Sequence, residues 1–349
     1  MKILEIPHST ANYLCPANGL CDIYEWKTGM RIPDELIFYS RTGFMLISQK
    51  IADPPKMIFP SAMNIGNHLL GFWSNRMGYR LIASEGKTFK NTILEIKELV
   101  DINIPVVLFG LDMYHLAYQS KFYKKIHATG HVVLMIGYDE DSVFVLDNSK
   151  LEIQSVSYAD LEMAWQEGYL NISKKNAYFG IEFLKAERDA SSIIQNAYKE
   201  IAYNFLNPKV GLFGIKGMEK LIKEFPKWKE QYDSETMKSI YTHYVRFAGS
   251  VLPELPAELD KNQSELINPH RGTRDKLALS LTKYKEQFGN ARWGPASAHF
   301  AKSGEIIEEI ANGFVADILA NCFENTDKYI DLFCKLKESE RKACMELIQ

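Results

Sequence analysis

Two hydrophobic rhythms divide the chain. Up to about residue 185, short β-branched apolar runs alternate with stretches of helical period, which predicts mixed α and β structure. A loop from His8 to Leu14 leads into a helix beginning near Pro16, a residue favoured at the first helical position. Helical spacing recurs over Ser61–Met77, and Tyr79–Ala83 reads as a strand. Thr88–Val100 sets Ile93, Ile96, Leu99 and Val100 on one side of a helix. Pro105–Gly110 is a buried strand by its length and branching. Two further apolar strands, ending at Tyr138 and Asp147, flank the polar turn Asp139-Glu140-Asp141-Ser142, and Tyr178–Phe183 is placed to close the sheet.

From Ala186 the strand signals stop. Arg188–Leu206, Ile215–Tyr232, Ser234–Leu252, Arg274–Phe288, Ser303–Ala320 and Thr326–Leu347 all carry helical periodicity. The joints hold Asn207-Pro208, Pro253, Pro256 and Asn268-Pro269, which are poor helix interior. The expectation is a mixed α and β domain over 1–185, then an all-helical domain over 186–349. A length of 349 residues fits two such domains.

Composition narrows the function classes. With 46% hydrophobic and 24% charged residues the chain reads as an ordinary soluble globular protein. A net charge of −3 argues against a general nucleic-acid binder. The opening run is too short and too early broken by Glu5 for a signal peptide, and no stretch approaches the roughly 18 apolar residues of a membrane span. The five cysteines are odd in number and scattered, so no disulfide framework is expected and a reducing cytoplasm is the simplest setting.

The chemistry concentrates in the strand pair. His131 stands at the mouth of one strand and Asp147 at the far end of the next, so an antiparallel pairing brings both to one end of the sheet. A histidine oriented by a carboxylate is half of a nucleophilic triad. Cys15 is the best nucleophile, because it opens a helix whose free amides and dipole favour negative charge. Cys21 falls inside that helix and is expected to pack, while Cys322, Cys334 and Cys344 lie on late helices and read as structural. Each of the three residues has a bland reading alone: a small buried thiol, a strand-end histidine, a turn-capping aspartate. Together they fill the roles of nucleophile, base and orienter.

Other features weigh less. Tyr114, Tyr118, Phe122 and Tyr123 suit either a substrate groove or core packing. Lys121, Lys124, Lys125 and His127 form a basic loop, and Lys216, Lys220, Lys223 and Lys227 share a helix face; both read first as solvated charge. Trp293-Gly294-Pro295 and His299 are expected in a loop. No metal is called: His115, His127 and His131 lack a ligand-pair motif. Walker-type, Gly-x-Gly-x-x-Gly and Gly-x-Ser-x-Gly signatures are missing from the sequence.

The arrangement resembles the papain-like cysteine-enzyme fold, which implies an α+β chain with an N-terminal helix packed on an antiparallel sheet ahead of the all-helical domain. Residues 1–165 are more narrowly similar to the N-terminal domain of the butirosin-biosynthesis acyltransferase (BtrH-type) family. The likeness rests on Cys15, the run Pro105–Tyr118 with Asp112-Met113-Tyr114 ahead of the histidine strand, the run Gly130–Asp139, and Val143–Asp147, with Gly272-Thr273-Arg274 a weak match in the helical half. Relatives often carry histidine directly before the cysteine, where this chain has Leu14. The chain is also similar to the class that makes amide bonds in closthioamide-type antibiotics.

The resemblance implies acyl transfer in secondary-metabolite biosynthesis. Cys15 attacks a thioester on an acyl or peptidyl carrier protein, a small amine takes the acyl group, His131 accepts its proton and Asp147 steadies the ring. The Cys15 amide, with Asn12 or Ser9, is the expected oxyanion donor set, and Asp112 with the four aromatics the expected substrate surface. No cofactor is expected beyond the phosphopantetheine arm of the donor. Nucleic acid and membrane are not expected partners, and a homo-oligomer is left open. The competing functions are a papain-like hydrolase, which needs the same three groups, and an inactive binding scaffold. Cys15 so near the N-terminus, leaving no room for a pro-segment, tilts the expectation toward transfer.

Overall fold

The computed structural model describes residues 1–10, 15–38, 43–49, 54–60, 67–166, 173–185, 189–248 and 271–349. Its architecture is α+β, and two compact units divide it: Met1–Ile37 with Ile65–Ile193, and Phe38–Asn64 with Ile194–Gln349.

The first unit is built on a seven-stranded antiparallel sheet. Its strands are β1 (Lys2–Ile3), β4 (Tyr79–Ser84), β5 (Val106–Leu111), β6 (His131–Tyr138), β7 (Ser142–Asp147), β8 (Lys150–Ser157) and β9 (Ala177–Phe183); β2 (Met45–Ser48) and β3 (Lys56–Phe59) pair with each other in the second unit. The order is β4-β9-β5-β6-β7-β8, with β1 added to β6. Every residue of β5 is buried, as are seven of the eight in β6. Such strands cannot alternate, because helices cover both faces.

Helix α1 (Cys15–Thr28) lies against the face that carries Leu134: a Cβ at Gly19 would stand 3.2 Å from the Leu134 Cβ. Leu99 of α4 (Phe89–Asp101) reaches Gly180 of β9, which pairs with Val106 and so shares the opposite face. Thr88 caps α4 and accepts from the Asn91 amide, while Ile93, Ile96 and Val100 go into the core as the helical spacing predicts. The short helix α5 (Tyr158–Ala164), capped by the Ser157 hydroxyl, was not anticipated by periodicity because seven residues give barely two turns.

The second unit is largely helical, with the β2–β3 hairpin grouped with it. The hairpin went unforeseen because its strands are only four residues each. The stretch expected as one helix over 215–232 is broken: α7 (Gly214–Glu224) meets a 3₁₀ turn at Phe225–Lys227, where Pro226 removes an amide, and α8 (Trp228–Gln231) follows. Trp293, Gly294, Pro295 and His299 are not in a loop. They open the helix Trp293–Ala320, where proline is tolerated in the first turn and Trp293 is buried. Cys344 is buried, whereas Cys322 and Cys334 are exposed and hold no packing role. The Gly272-Thr273-Arg274 run has a structural job: Gly272 and Thr273 take left-handed backbone (φ 59° and 67°) and aim Arg274 inward. The buried Arg274 guanidinium meets Glu340 at 2.9 Å and donates to the carbonyls of Gly272 and Gly43.

Candidate active site

Three elements of the first unit deliver the three chemical groups. Cys15 is the first residue of α1, His131 the first of β6, and Asp147 the last of β7. Leu134 pairs with Leu146, so β6 and β7 run side by side and their opposite ends bring His131 and Asp147 to one sheet edge. Beyond Phe109, a bulge at Gly110 (φ 87°) shifts the β5 register so that Leu111 pairs with His131. Only a residue free to take positive φ makes that shift without strain.

His131 Nε2 lies 2.5 Å from Asp147 Oδ2 in a buried contact. The same ring hydrogen-bonds with the Cys15 side chain, and with Nε2 engaged by the carboxylate, Nδ1 is the nitrogen left for sulfur. Burial alone would depress the basicity of His131. The Asp147 charge and hydrogen bond, followed by those of Cys15, outweigh it and lift the ring to about 10. At neutral pH the imidazole is therefore an imidazolium held between carboxylate and sulfur. Asp147 shows the converse. Burial pushes its carboxyl up, but the His131 charge and the bonds from His131 and Ser149 hold it well below the ordinary carboxylate range.

Asp147 accepts from every side. Tyr118 Oη donates to Oδ2 at 2.9 Å and Gln119 Nε2 donates to the same oxygen at 3.0 Å. The Ser149 amide and hydroxyl donate to Oδ1 at 2.8 and 2.7 Å. Burial and the neighbouring carboxylate push the Tyr118 phenol well above its usual range, so it stays a donor. Gln119 and Ser149 were missed from the sequence. Ser149 had a signal in the turn chemistry of Asp147-Asn148-Ser149, whereas nothing near Gln119 marks it.

The remaining expected residues divide. Of the aromatics, Tyr118 is brought onto the catalytic candidates, as a partner of Asp147. Asp112 instead organises its own loop: Oδ1 accepts from the Tyr114 and Ala128 amides at 3.0 Å each, and Oδ2 meets His127 Nδ1 at 2.6 Å. The Tyr114 ring stacks on His127 with centroids 4.0 Å apart. Phe122 and Tyr123 are half-buried in the turns after Gln119, their amides bonded to its carbonyl. Ser9 is half-buried; Asn12 and Leu14 lie outside the described residues. Cys21 is buried, and burial pushes its thiol well up, which makes it a poor nucleophile.

Among the described residues, Asp112, His115 and His127 form one group with ligand atoms within 4.8 Å of one another. Two ligands on a tetrahedral ion stand roughly 3.3 Å apart, whereas Asp112 and His127 stand at 2.6 Å with a proton between them. As built, the pair is a hydrogen bond that an ion would have to break. Beneath Cys15 is a cavity of about 10 Å³, walled by Gly19, Val107, Val132 and Leu134 among others, which is packing space rather than room for a substrate.

Comparison with known proteins matches the stretch that carries all three groups. Residues 159–250 match a domain of unknown function (DUF4872). No curated protein matches the chain. Residues 15–148, which begin at Cys15 and end one position past Asp147, match the butirosin biosynthesis protein H N-terminal domain, so this stretch is similar to that domain.

Proposed function

We propose that the protein is a cysteine-dependent acyltransferase that forms amide bonds, with Cys15 as nucleophile, His131 as proton carrier and Asp147 as its orienter. The observation that carries this reading is the continuous run of contacts from the Cys15 side chain through His131 to the buried Asp147 carboxylate. The similarity of residues 15–148 to the butirosin biosynthesis protein H N-terminal domain supports transfer in the making of a natural product.

The chemistry follows from the charge state. The Cys15 sulfur adds to the carbonyl of a carrier-bound thioester, and the carrier thiolate leaves with the proton of the His131 imidazolium. Having given its proton to the departing carrier thiolate, the His131 ring that faces the acyl-enzyme is neutral. An amine then adds to the acyl carbon, His131 takes its proton, and the Cys15 thiolate leaves, which restores the original pair. Asp147 keeps Nε2 protonated throughout, so Nδ1 does the exchanging. The Cys15 amide at the open end of α1 is the first oxyanion donor in this scheme, with Ser9 or Asn12 the second. The donor is an acyl or peptidyl carrier protein bearing phosphopantetheine. The exposed Lys124 and Lys125, in the loop between Gln119 and His131, suit its acidic surface.

The test is a simple acyl thioester incubated with the protein, with and without a small diamine. The expected results are a mass increase on Cys15 and an amide product, both lost in Cys15→Ala while its circular dichroism stays unchanged. Free acid as the sole product in both incubations would make the protein a hydrolase, and turnover by Cys15→Ala would end the reading altogether.

A further inference from the structure

A second histidine, upstream of the matched domain, faces acceptors with both ring nitrogens. His8 Nε2 lies 2.9 Å from the Lys150 carbonyl and 3.1 Å from the Asp147 carbonyl, and Nδ1 lies 2.6 Å from Asp22 Oδ2. A carbonyl oxygen only accepts, so Nε2 carries a proton. The other oxygen of Asp22 takes a 2.8 Å bond from Arg31, as an ionised carboxylate does, so the proton at Nδ1 belongs to the ring. A neutral ring would set a lone pair against a carboxylate at 2.6 Å.

We propose that His8 is a positioning residue for the thiol site: as an imidazolium it ties Asp22 of α1, the helix that opens with Cys15, to the turn that carries Asp147. The side chain is 5% exposed and its partner carboxylate 0%. At that depth the contacts are short and little screened by salt. Burial works against the charge on His8, and the Asp22 hydrogen bond and charge with the two carbonyls outweigh it and raise its basicity. The charges around it are Asp22 and, on the far side of that carboxylate, Arg31, which also pairs with Glu25 and Asp34. From the strand turn the ring meets the backbone oxygens of Asp147 and Lys150.

The consequence reaches the reacting atoms through one peptide unit. The Asp147 side chain orients His131, and the carbonyl of the same residue is held by His8. Without His8 the turn from Asp147 to Lys150 keeps its Ser149 bonds but loses its tie to α1. The helix still packs on Leu134, but the distance between its Cys15 end and the Asp147 turn loses one short restraint and can drift. A drift of about 1 Å in a reacting geometry costs on the order of a hundredfold in rate.

The role of His8 in positioning rests on the reading of Cys15, His131 and Asp147 as one reacting unit; its protonation does not. Two variants are needed, His8→Ala and His8→Gln, the second keeping a donor for one carbonyl without the charge. The first measurement is the ¹⁵N chemical shift of the His8 ring in the wild-type protein at pH 7, where an imidazolium is expected and a neutral ring overturns the proposal. The second is the pH dependence of Cys15 alkylation by iodoacetamide, which needs no substrate. The upper limb set by His131 is expected to fall by at least one pH step in both variants. The third is turnover of an acyl thioester, where kcat is expected to drop 10–100-fold with KM within twofold. A purely structural role would lower the melting temperature and leave the alkylation limb in place, and that result overturns the proposal. If His8→Ala does not fold, His8→Gln decides. If the wild-type protein shows no acyl transfer, the proposed function fails, while the ring shift and the alkylation limb still decide His8.

Discussion

Replacing Asp147 by asparagine isolates the charge that sets the state of His131. The ring rises from an ordinary 6.5 to about 10 with Asp147 as the largest favourable cause, which corresponds to about 5 kcal/mol of preference for the imidazolium. Asparagine keeps the shape. Its oxygen, placed at the Oδ2 position, still accepts from Tyr118, Gln119 and His131, and its NH2 donates to the Ser149 hydroxyl at the cost of the bond from the Ser149 amide. What disappears is the negative charge, the largest cause that raises His131, and burial then works against the smaller contribution of Cys15. At pH 7.5 a ring returned to its ordinary 6.5 keeps about a tenth of its imidazolium form, so the rate of Cys15 acylation by a thioester is expected to fall about tenfold or more. The upper limb of the pH–rate curve moves from near 10 in the wild type to below 7. Stability follows the same linkage. The folded ring holds its proton to about 10 and the unfolded ring only to about 6.5, so the contribution of the pair is complete below 6.5 and lost as pH rises through 10. A folded Asp147→Asn protein whose limb stays near 10, with a rate within twofold of wild type, would refute the reasoning.

The site was legible because its spacing is a fold statement. A histidine and an aspartate at opposite ends of adjoining strands meet only if the strands form a hairpin, and the Asp139–Ser142 turn announces one. The cysteine was legible because proline after it marks a helix start, and α1 begins at Cys15. What stayed hidden is of two kinds. Gln119 and His8 act through geometry set by the whole sheet: Gln119 lies 28 positions from the carboxylate it serves, and His8 139 from the carbonyl it holds. No local period encodes such pairs. The hairpin at Met45–Phe59 was missed because four-residue strands fall below what alternation can signal. Trp293 and Pro295 were misassigned because proline reads as a breaker until its place in the first turn is known.

Three further outcomes are open to measurement. Brief iodoacetamide exposure is expected to label Cys15 first and the exposed Cys322 and Cys334 more slowly, with Cys21 and Cys344 protected by burial that pushes both thiols well up. Peptide mapping over time reads this, and early labelling at Cys21 would contradict the placement of α1. Tyr118→Phe removes one of the donors on Asp147 Oδ2 and is expected to slow acylation about tenfold with the fold intact. An unchanged rate would mean that Gln119 and Ser149 suffice to hold the carboxylate. Arg274→Met bears on the second unit, where Arg274 and Glu340 are both 0% exposed. Methionine fills the space but leaves the Glu340 charge buried without the Arg274 cation, and removes the guanidinium bond to the Gly43 carbonyl, while the Gly272 carbonyl keeps the Thr273 hydroxyl. Breaking a buried pair from one side costs about 3–5 kcal/mol, so the urea midpoint should fall by about 2 M or more at a slope of 1–2 kcal/mol/M. The double variant Arg274→Met with Glu340→Leu removes the stranded charge and is expected to recover most of that loss. If the double variant is no more stable than the single, the damage lies in the left-handed Gly272-Thr273 turn that the guanidinium closes, not in the buried carboxylate.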